Sequence, residues 1–360
     1  FRKKDNSINL NLLIFVDGLI KHLVDDDEFF SKIMPHTYNF FKQGISFQNH
    51  YANGEWSLPS AGNFFSGCYT DKHKLFHNQE YQLLNKNLKL IGEYFSENNF
   101  QTYMINGSWR LAPTYGFCKG FDKTFYKREM SSSEAIDHFL SLDTCIKNEK
   151  KFYWLTLFDL HGTGFNHQIG DSFFMYNKLK KNNLKSVNLE YNDYLKDRYI
   201  FNCKLLDLKL NNLYNYINKT YQNDEVLVSL VTDHGQSFFD NENHVLRNNR
   251  IKIPWLIRGR NIVQKKVIHF SENVDLLPNF LKLNNISFKK DNFDGQVGEI
   301  FGGDYKQNIK SQSIFPNCAY KLRVDFKENK YFVESKNKMS EKCDLKNFEE
   351  KIQIFNLDNK

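Results

Sequence analysis

The chain has 360 residues, 41% of them hydrophobic and 25% charged, with 34 Phe and 19 Tyr. That is enough apolar chain for one large α/β domain or two unequal ones, and it excludes disorder for the bulk of the sequence. The formal charge of +7, from 49 basic and 42 acidic residues, is mild and spread along the chain, so no nucleic-acid partner is expected; an anionic substrate fits better.

The first element is Leu10 to Val16, a near-continuous apolar run closed by Asp17 and Gly18, which reads as a buried parallel strand. Ser131 to Ser133 followed by Glu134 marks a helix start ahead of Ile136, Phe139 and Leu140. Lys151 to Phe158 repeats the strand pattern and ends at Asp159. Leu206, Leu210, Leu213 and Ile217 follow a helical period. Val226 to Thr232 is a third buried strand, ending in Asp233, His234 and Gly235. Ile251 to Ile257 reads as a further strand, with Pro254 assigning it an edge or irregular place. Beyond about residue 284 short apolar runs such as Tyr331 to Val333 predict a smaller, antiparallel appendage, with a final helix near Leu345 to Ile354. The expected division is a catalytic α/β domain over 8–284 and a C-terminal subdomain with a charged tail over 285–360.

The cysteines, Cys68, Cys118, Cys145, Cys203, Cys318 and Cys343, form no CxxC pair, which argues against a zinc ribbon or thioredoxin-type site. They leave the redox compartment open. Lys178, Lys180, Lys181 and Lys185 make one short basic cluster that reads as solvated surface. No apolar run approaches 18 residues, so this chain carries no predicted transmembrane segment. A chain beginning at Phe1 reads as a processed protein or an excised domain, and both a cytoplasmic and an extracytoplasmic location stay open.

Three strands that each deliver a carboxylate to a loop point to one shared site, because open α/β sheets bind ligands outside the carboxyl ends of their strands. Asp233 and His234, next to a glycine that permits a sharp turn, can both face one cation, with Asp17 supplying a further oxygen. Ser57 lies where Pro59 and the small residues after it predict a helix start, a place where free amides favour an anion. Coordination to a divalent ion would turn this ordinary serine into a nucleophile.

Asp17-Gly18, Ser57-Leu58-Pro59-Ser60 and Thr232-Asp233-His234-Gly235 together resemble the three signature regions of the sulfatase branch of the alkaline phosphatase superfamily. Met34-Pro35-His36 through Phe47, Gly107 to Leu111 with Gly120-Phe121-Asp122, Asp159 to Gly162, and Val274 to Pro278 extend the likeness over roughly residues 8 to 335. The resemblance implies a central mostly parallel or mixed sheet flanked by helices, with a small C-terminal subdomain. It implies one divalent ion on Asp17, Ser57, Asp233 and His234, with Ser57 as nucleophile and His161 contacting the substrate or protonating the leaving group.

The departures from the family pattern shape the expected chemistry. Ala61 stands where sulfatases carry the arginine of the formylglycine signal, Gly18 where a second acid is usual, and Ser108 and Arg110 where a lysine and a histidine bind the anion. An unmodified serine fits phosphatase, phosphodiesterase and lipid-headgroup phosphotransferase relatives. The expected activity is therefore a metal-dependent phosphoester hydrolase or phosphotransferase working through a Ser57 intermediate on an anionic glycan, lipid headgroup or small phosphoester. Sulfate ester hydrolysis is the alternative, and a degenerate binding module a further one. Manganese or zinc is favoured over calcium or magnesium because His234 supplies nitrogen. Arg110, Arg247 and Arg250 are candidate substrate contacts; Asp159 with His244 or His269 is the alternative home for a second ion. Oligomeric state is left open.

Overall fold

The computed structural model describes residues 9–76, 83–146, 149–161, 193–239, 245–315, 317–339 and the backbone of 350–356. Its strands are β1 (Leu10–Val16), β2 (Ile45–Tyr51), β3 (Gln101–Asn106), β4 (Lys123–Tyr126), β5 (Lys151–Leu157), β6 (Val226–Val231), β7 (Trp255–Gly259), β8 (Lys265–Glu272), β9 (Asn308–Ser313), β10 (Ala319–Phe326), β11 (Asn329–Lys338) and β12 (Glu350–Asn356). The first eight form one sheet in the order β4-β3-β5-β1-β6-β7-β2-β8, and the last four a small sheet in the order β12-β11-β10-β9. In the large sheet only β7 runs against its neighbours. The small sheet is antiparallel throughout.

β1 is central, paired in parallel with β5 and β6, and all three strands are buried along their length. Their apolar runs carry side chains on both faces, and each face has its own core. Helices α1 (Pro35–Phe41), α3 (Ser132–Cys145) and α4 (Asp193–Thr220) cover one face, where Tyr199, Leu206, Leu210, Leu213 and Ile217 pack. On the other face lie α2 (Ser57–Ser66) and α5 (Leu276–Leu283), with Phe64, Phe65 and Phe280 around Phe15 and Trp154.

Two of the sequence expectations change. Pro254 precedes β7, and this strand is interior, between β6 and β2; it meets the proline constraint by starting one residue later, not by taking an edge. The last element is a strand, since Ile352 and Ile354 alternate opposite Val333 and Tyr331. The predicted boundary at 284 falls directly after α5. Ile286 and Phe293 pack into the large core, and the antiparallel sheet begins at Asn308. No helix among the described residues is long and apolar enough to cross a membrane. The aromatic stretches at 38–51 and 115–126 mostly serve the core: Phe47 stacks on Trp255 at 3.8 Å, and Phe117 is fully buried against Phe65.

Candidate active site

The carboxyl ends of β1 and β6 place Asp17 and Asp233 side by side, both fully buried. Gly18 turns the chain away at once with φ of +76°, and a β-carbon there would lie 2.5 Å from the Gln236 amide nitrogen. Tyr199, from α4, donates to the Gly18 carbonyl at 3.0 Å and accepts from the Ile20 amide at 2.9 Å. Gln236 donates to the carbonyls of Gly18 and Leu160. These two side chains fix the loop that carries Asp17. Gly235 is equally constrained, because a β-carbon would meet the Asn249 carbonyl at 2.0 Å.

Ser57 is the first residue of α2, a helix whose ten residues are all buried. Its Oγ lies 3.3 Å from Asp17 Oδ2 and 3.4 Å from His234 Nε2. His234 Nδ1 lies 2.9 Å from the Gly235 carbonyl, so that nitrogen carries the proton and Nε2 presents a lone pair. Asp233 Oδ1 accepts from the Gly18 and His234 amides, whereas Oδ2 has no hydrogen-bond donor and lies 3.3 Å from His234 Nε2. Asp17, Asp233 and His234 each turn a ligand atom to a common point, all within 4.8 Å of one another. A buried carboxylate oxygen without a donor, facing an imidazole lone pair, is the arrangement that a divalent cation satisfies.

The electrostatics fit the same reading. Burial and the neighbouring Asp17 charge push the Asp233 carboxyl up to about 7. Burial also acts on Asp17, but the charge and hydrogen bond of His161, with the Arg110 charge, outweigh it and hold this carboxyl below its ordinary value. Burial and the Arg250 charge keep His234 neutral, far below the usual imidazole range. Two buried carboxylates side by side repel each other, and a cation between them removes that cost.

His161 follows β5, stacks on Phe158 and donates from Nδ1 to Asp17 Oδ1 at 2.8 Å. Arg110 lies over two indoles, 4.9 Å from the Trp56 ring centre and 4.4 Å from that of Trp109, with its Nε buried and unpartnered. Burial works against its charge, and the Asp17 and Asp233 carboxylates favour it. Arg250 donates from Nε to the Glu55 carbonyl at 2.7 Å and from Nη1 to the Gly235 carbonyl at 3.0 Å, so it braces the loops around the site.

The remaining predicted residues lie elsewhere. Asp159 accepts from the Ser132 amide at the start of α3 and from Lys209, and does not join the acidic cluster. His269, on β8, pairs with Glu299 at 3.2 Å and meets the edge of Tyr305. Arg247 donates to the Ser237 carbonyl. His244 lies outside the described residues. Sequence reasoning missed Tyr199, Gln236 and the Trp56–Arg110–Trp109 stack. Gln236 directly follows the Asp-His-Gly motif and was the one local cue.

This mixed-sheet fold, with a serine at a helix mouth beside an Asp-Asp-His cluster, is that of an enzyme hydrolysing anionic esters. The sulfatase family model matches residues 12–286, and the chain belongs to that family, whose members are generally metal-dependent. Among solved structures it is similar to a 2-O GAG sulfatase (14% identity, 91% of this chain and 82% of that one, TM-score 0.73). It is also similar to the phosphonate monoester hydrolase of Silicibacter pomeroyi (14% identity, 98% and 89%, TM-score 0.72). A third neighbour is Ps i-CgsB, solved in complex with k-i-k-neocarrahexaose (17% identity, 97% and 86%, TM-score 0.68). No curated protein sequence matches the chain.

Proposed function

We propose that the chain is a metal-dependent phosphoester hydrolase or phosphotransferase that acts through Ser57 on an anionic glycan, a lipid headgroup or a small phosphoester. The observation that carries this reading is the Ser57 environment: an Oγ within 3.4 Å of both Asp17 and His234, on a helix where Ala61 is buried in apolar packing instead of a formylglycine-signal arginine. Asp17, Asp233, His234 and Ser57 would hold one manganese or zinc ion, which would acidify the serine hydroxyl and offset phosphoryl charge.

Ser57 Oγ passes its proton to Asp17 Oδ2 and attacks phosphorus as the bond from phosphorus to the leaving oxygen breaks. The free amides of the first turn of α2, together with Arg110, face the negative oxygens. The two indoles orient the Arg110 guanidinium without neutralising it, leaving its charge available to the substrate. His161 is held through Nδ1 by Asp17 Oδ1, which leaves Nε2 to protonate the departing alkoxide. Water or an acceptor hydroxyl then releases the phosphoryl group from Ser57.

The test is a panel of aryl phosphate monoesters, phosphodiesters and sulfates assayed with Mn²⁺ or Zn²⁺, with Ser57→Ala as control. Phosphoester turnover lost in Ser57→Ala is expected. Turnover of sulfates alone, also lost in that variant, establishes the second reading, sulfate ester hydrolysis. That reading is favoured by family membership and by a neighbour described as a GAG sulfatase.

A further inference from the structure

A cavity lies at the end of the large sheet away from Ser57. It encloses about 550 Å³, and its lining includes Lys150, Arg260 and Lys282 and no carboxylate. The topology brings these three cations together: Lys150 immediately precedes β5, Arg260 follows the antiparallel β7, and Lys282 lies in the last turn of α5. The Gln101 amide bonds the Lys150 carbonyl and the Arg260 amide bonds the Val226 carbonyl, which ties both residues to the starts of parallel strands. Asp17 lies past the far end of β1, about 20 Å away at the usual rise of a strand.

Among the described residues no carboxylate pairs with Lys150, Arg260 or Lys282. By contrast, the buried Lys151 meets Asp143 at 2.6 Å, and the buried Lys306 meets Glu272 and Asp275. Phe100 and Ile286 give the cavity a buried apolar wall. Three unpaired cations around a concave surface with an apolar wall and asparagine amides suit a ligand bearing one oxyanion and a carbon ring. The volume lies within the roughly 300–1,000 Å³ range of small-ligand pockets.

We propose that this cavity binds a phosphorylated or sulfated sugar-sized ligand, at a site distinct from the Ser57 centre. It does not depend on which ester Ser57 cleaves. The cations supply the affinity through the oxyanion, and the apolar wall takes the ring face. A neutral sugar leaves the cations unpaired and binds weakly.

The test titrates glucose 6-phosphate, glucose 6-sulfate and glucose calorimetrically into Ser57→Ala protein, so that nothing is turned over. The Arg260→Gln/Lys282→Gln pair in that background should bind the charged sugars at least tenfold more weakly in one class of sites. Arg260→Lys/Lys282→Arg, which keeps both charges, should restore most of the affinity. The same Gln pair with Ser57 intact should keep its kcat/KM on the best aryl ester within twofold. A preference for the phosphate over the sulfate sugar would identify the oxyanion that the site selects. If the Gln pair folds poorly, Lys150→Gln alone gives the same reading. Unchanged affinity in the folded Gln variants, or glucose binding as tightly as its esters, overturns the proposal.

Discussion

Protonation of His73 should cost the fold about 2 kcal/mol at pH 5, because its pKa falls from 6.5 to about 3 and each pH unit below 6.5 is worth about 1.36 kcal/mol. The ring is fully buried behind α2, and a β-carbon on Gly62 would lie 2.5 Å from it. Its Nδ1 accepts the Leu75 amide at 3.0 Å, a bond that a proton on that nitrogen would break. Burial is the main cause of the lowered pKa. The unfolded chain takes up a proton between pH 6.5 and about 3 that the folded chain refuses, so stability falls as pH drops through that window. His50, also buried and lowered to about 3, adds a parallel loss. The assay is urea unfolding of the parent and His73→Gln at pH 7.5 and pH 5.0. The parent should lose about 2 kcal/mol more than the variant between the two pH values, by the same linkage. Equal losses would refute the assignment of a neutral, proton-excluding His73.

Asp233→Ala should abolish stoichiometric divalent-metal binding by elemental analysis. In chelator its melting temperature should match or exceed the parent's, because one of two repelling buried carboxylates is gone. Ser57 should remain serine: a peptide covering residues 53–66 should show the unmodified mass, and a loss of about two daltons at residue 57 would return formylglycine chemistry to first place. Lys306→Met should destabilise the fold by about 3–5 kcal/mol in urea, since it leaves Glu272 and Asp275 buried together without their cation. An effect below about 1 kcal/mol would assign that cluster to the weak surface class.

The sequence carries its information in pieces that are local. Leu10 to Val16, Lys151 to Phe158 and Val226 to Thr232 are legible as strands because a parallel strand buried on both faces needs apolar side chains at nearly every position. The acids that follow them are legible for the same reason, since chain order places each at a strand end. Asp17 and Asp233 meet across β1 and β6, but Asp159 is drawn off by the α3 amide and Lys209, and no local pattern distinguishes the two outcomes. The Arg110 stack needs Trp56 from a segment more than fifty residues earlier, so it is written in tertiary contacts alone. Residues 345–354 alone carry a helical pattern, but Glu350–Asn356 forms a strand because β11 is there to pair with it.

The small sheet braces the segment that leads into Ser57. β9 reaches across to residues 52–55, immediately ahead of Ser57. The Gln312 amide donates to the Asn53 carbonyl at 2.9 Å, Ser311 donates to the Ala52 carbonyl at 2.6 Å, and Ser313 bonds the Glu55 carboxyl. Asn53 in turn donates to Glu272 at 2.7 Å and accepts from the Val274 amide, which ties the same segment to the end of β8 and the start of α5. Arg250 closes the ring by bonding the Glu55 carbonyl and the Gly235 carbonyl, so the segment ahead of Ser57 and the Asp233-His234 loop share one brace. The loop carrying Asp17 is fixed from the opposite face of the sheet by Tyr199. Ser57, Asp17, Asp233 and His234 therefore sit where two independently packed cores and the appended sheet meet, and a shift in any one of them would separate the Ser57 hydroxyl from Asp17 and His234.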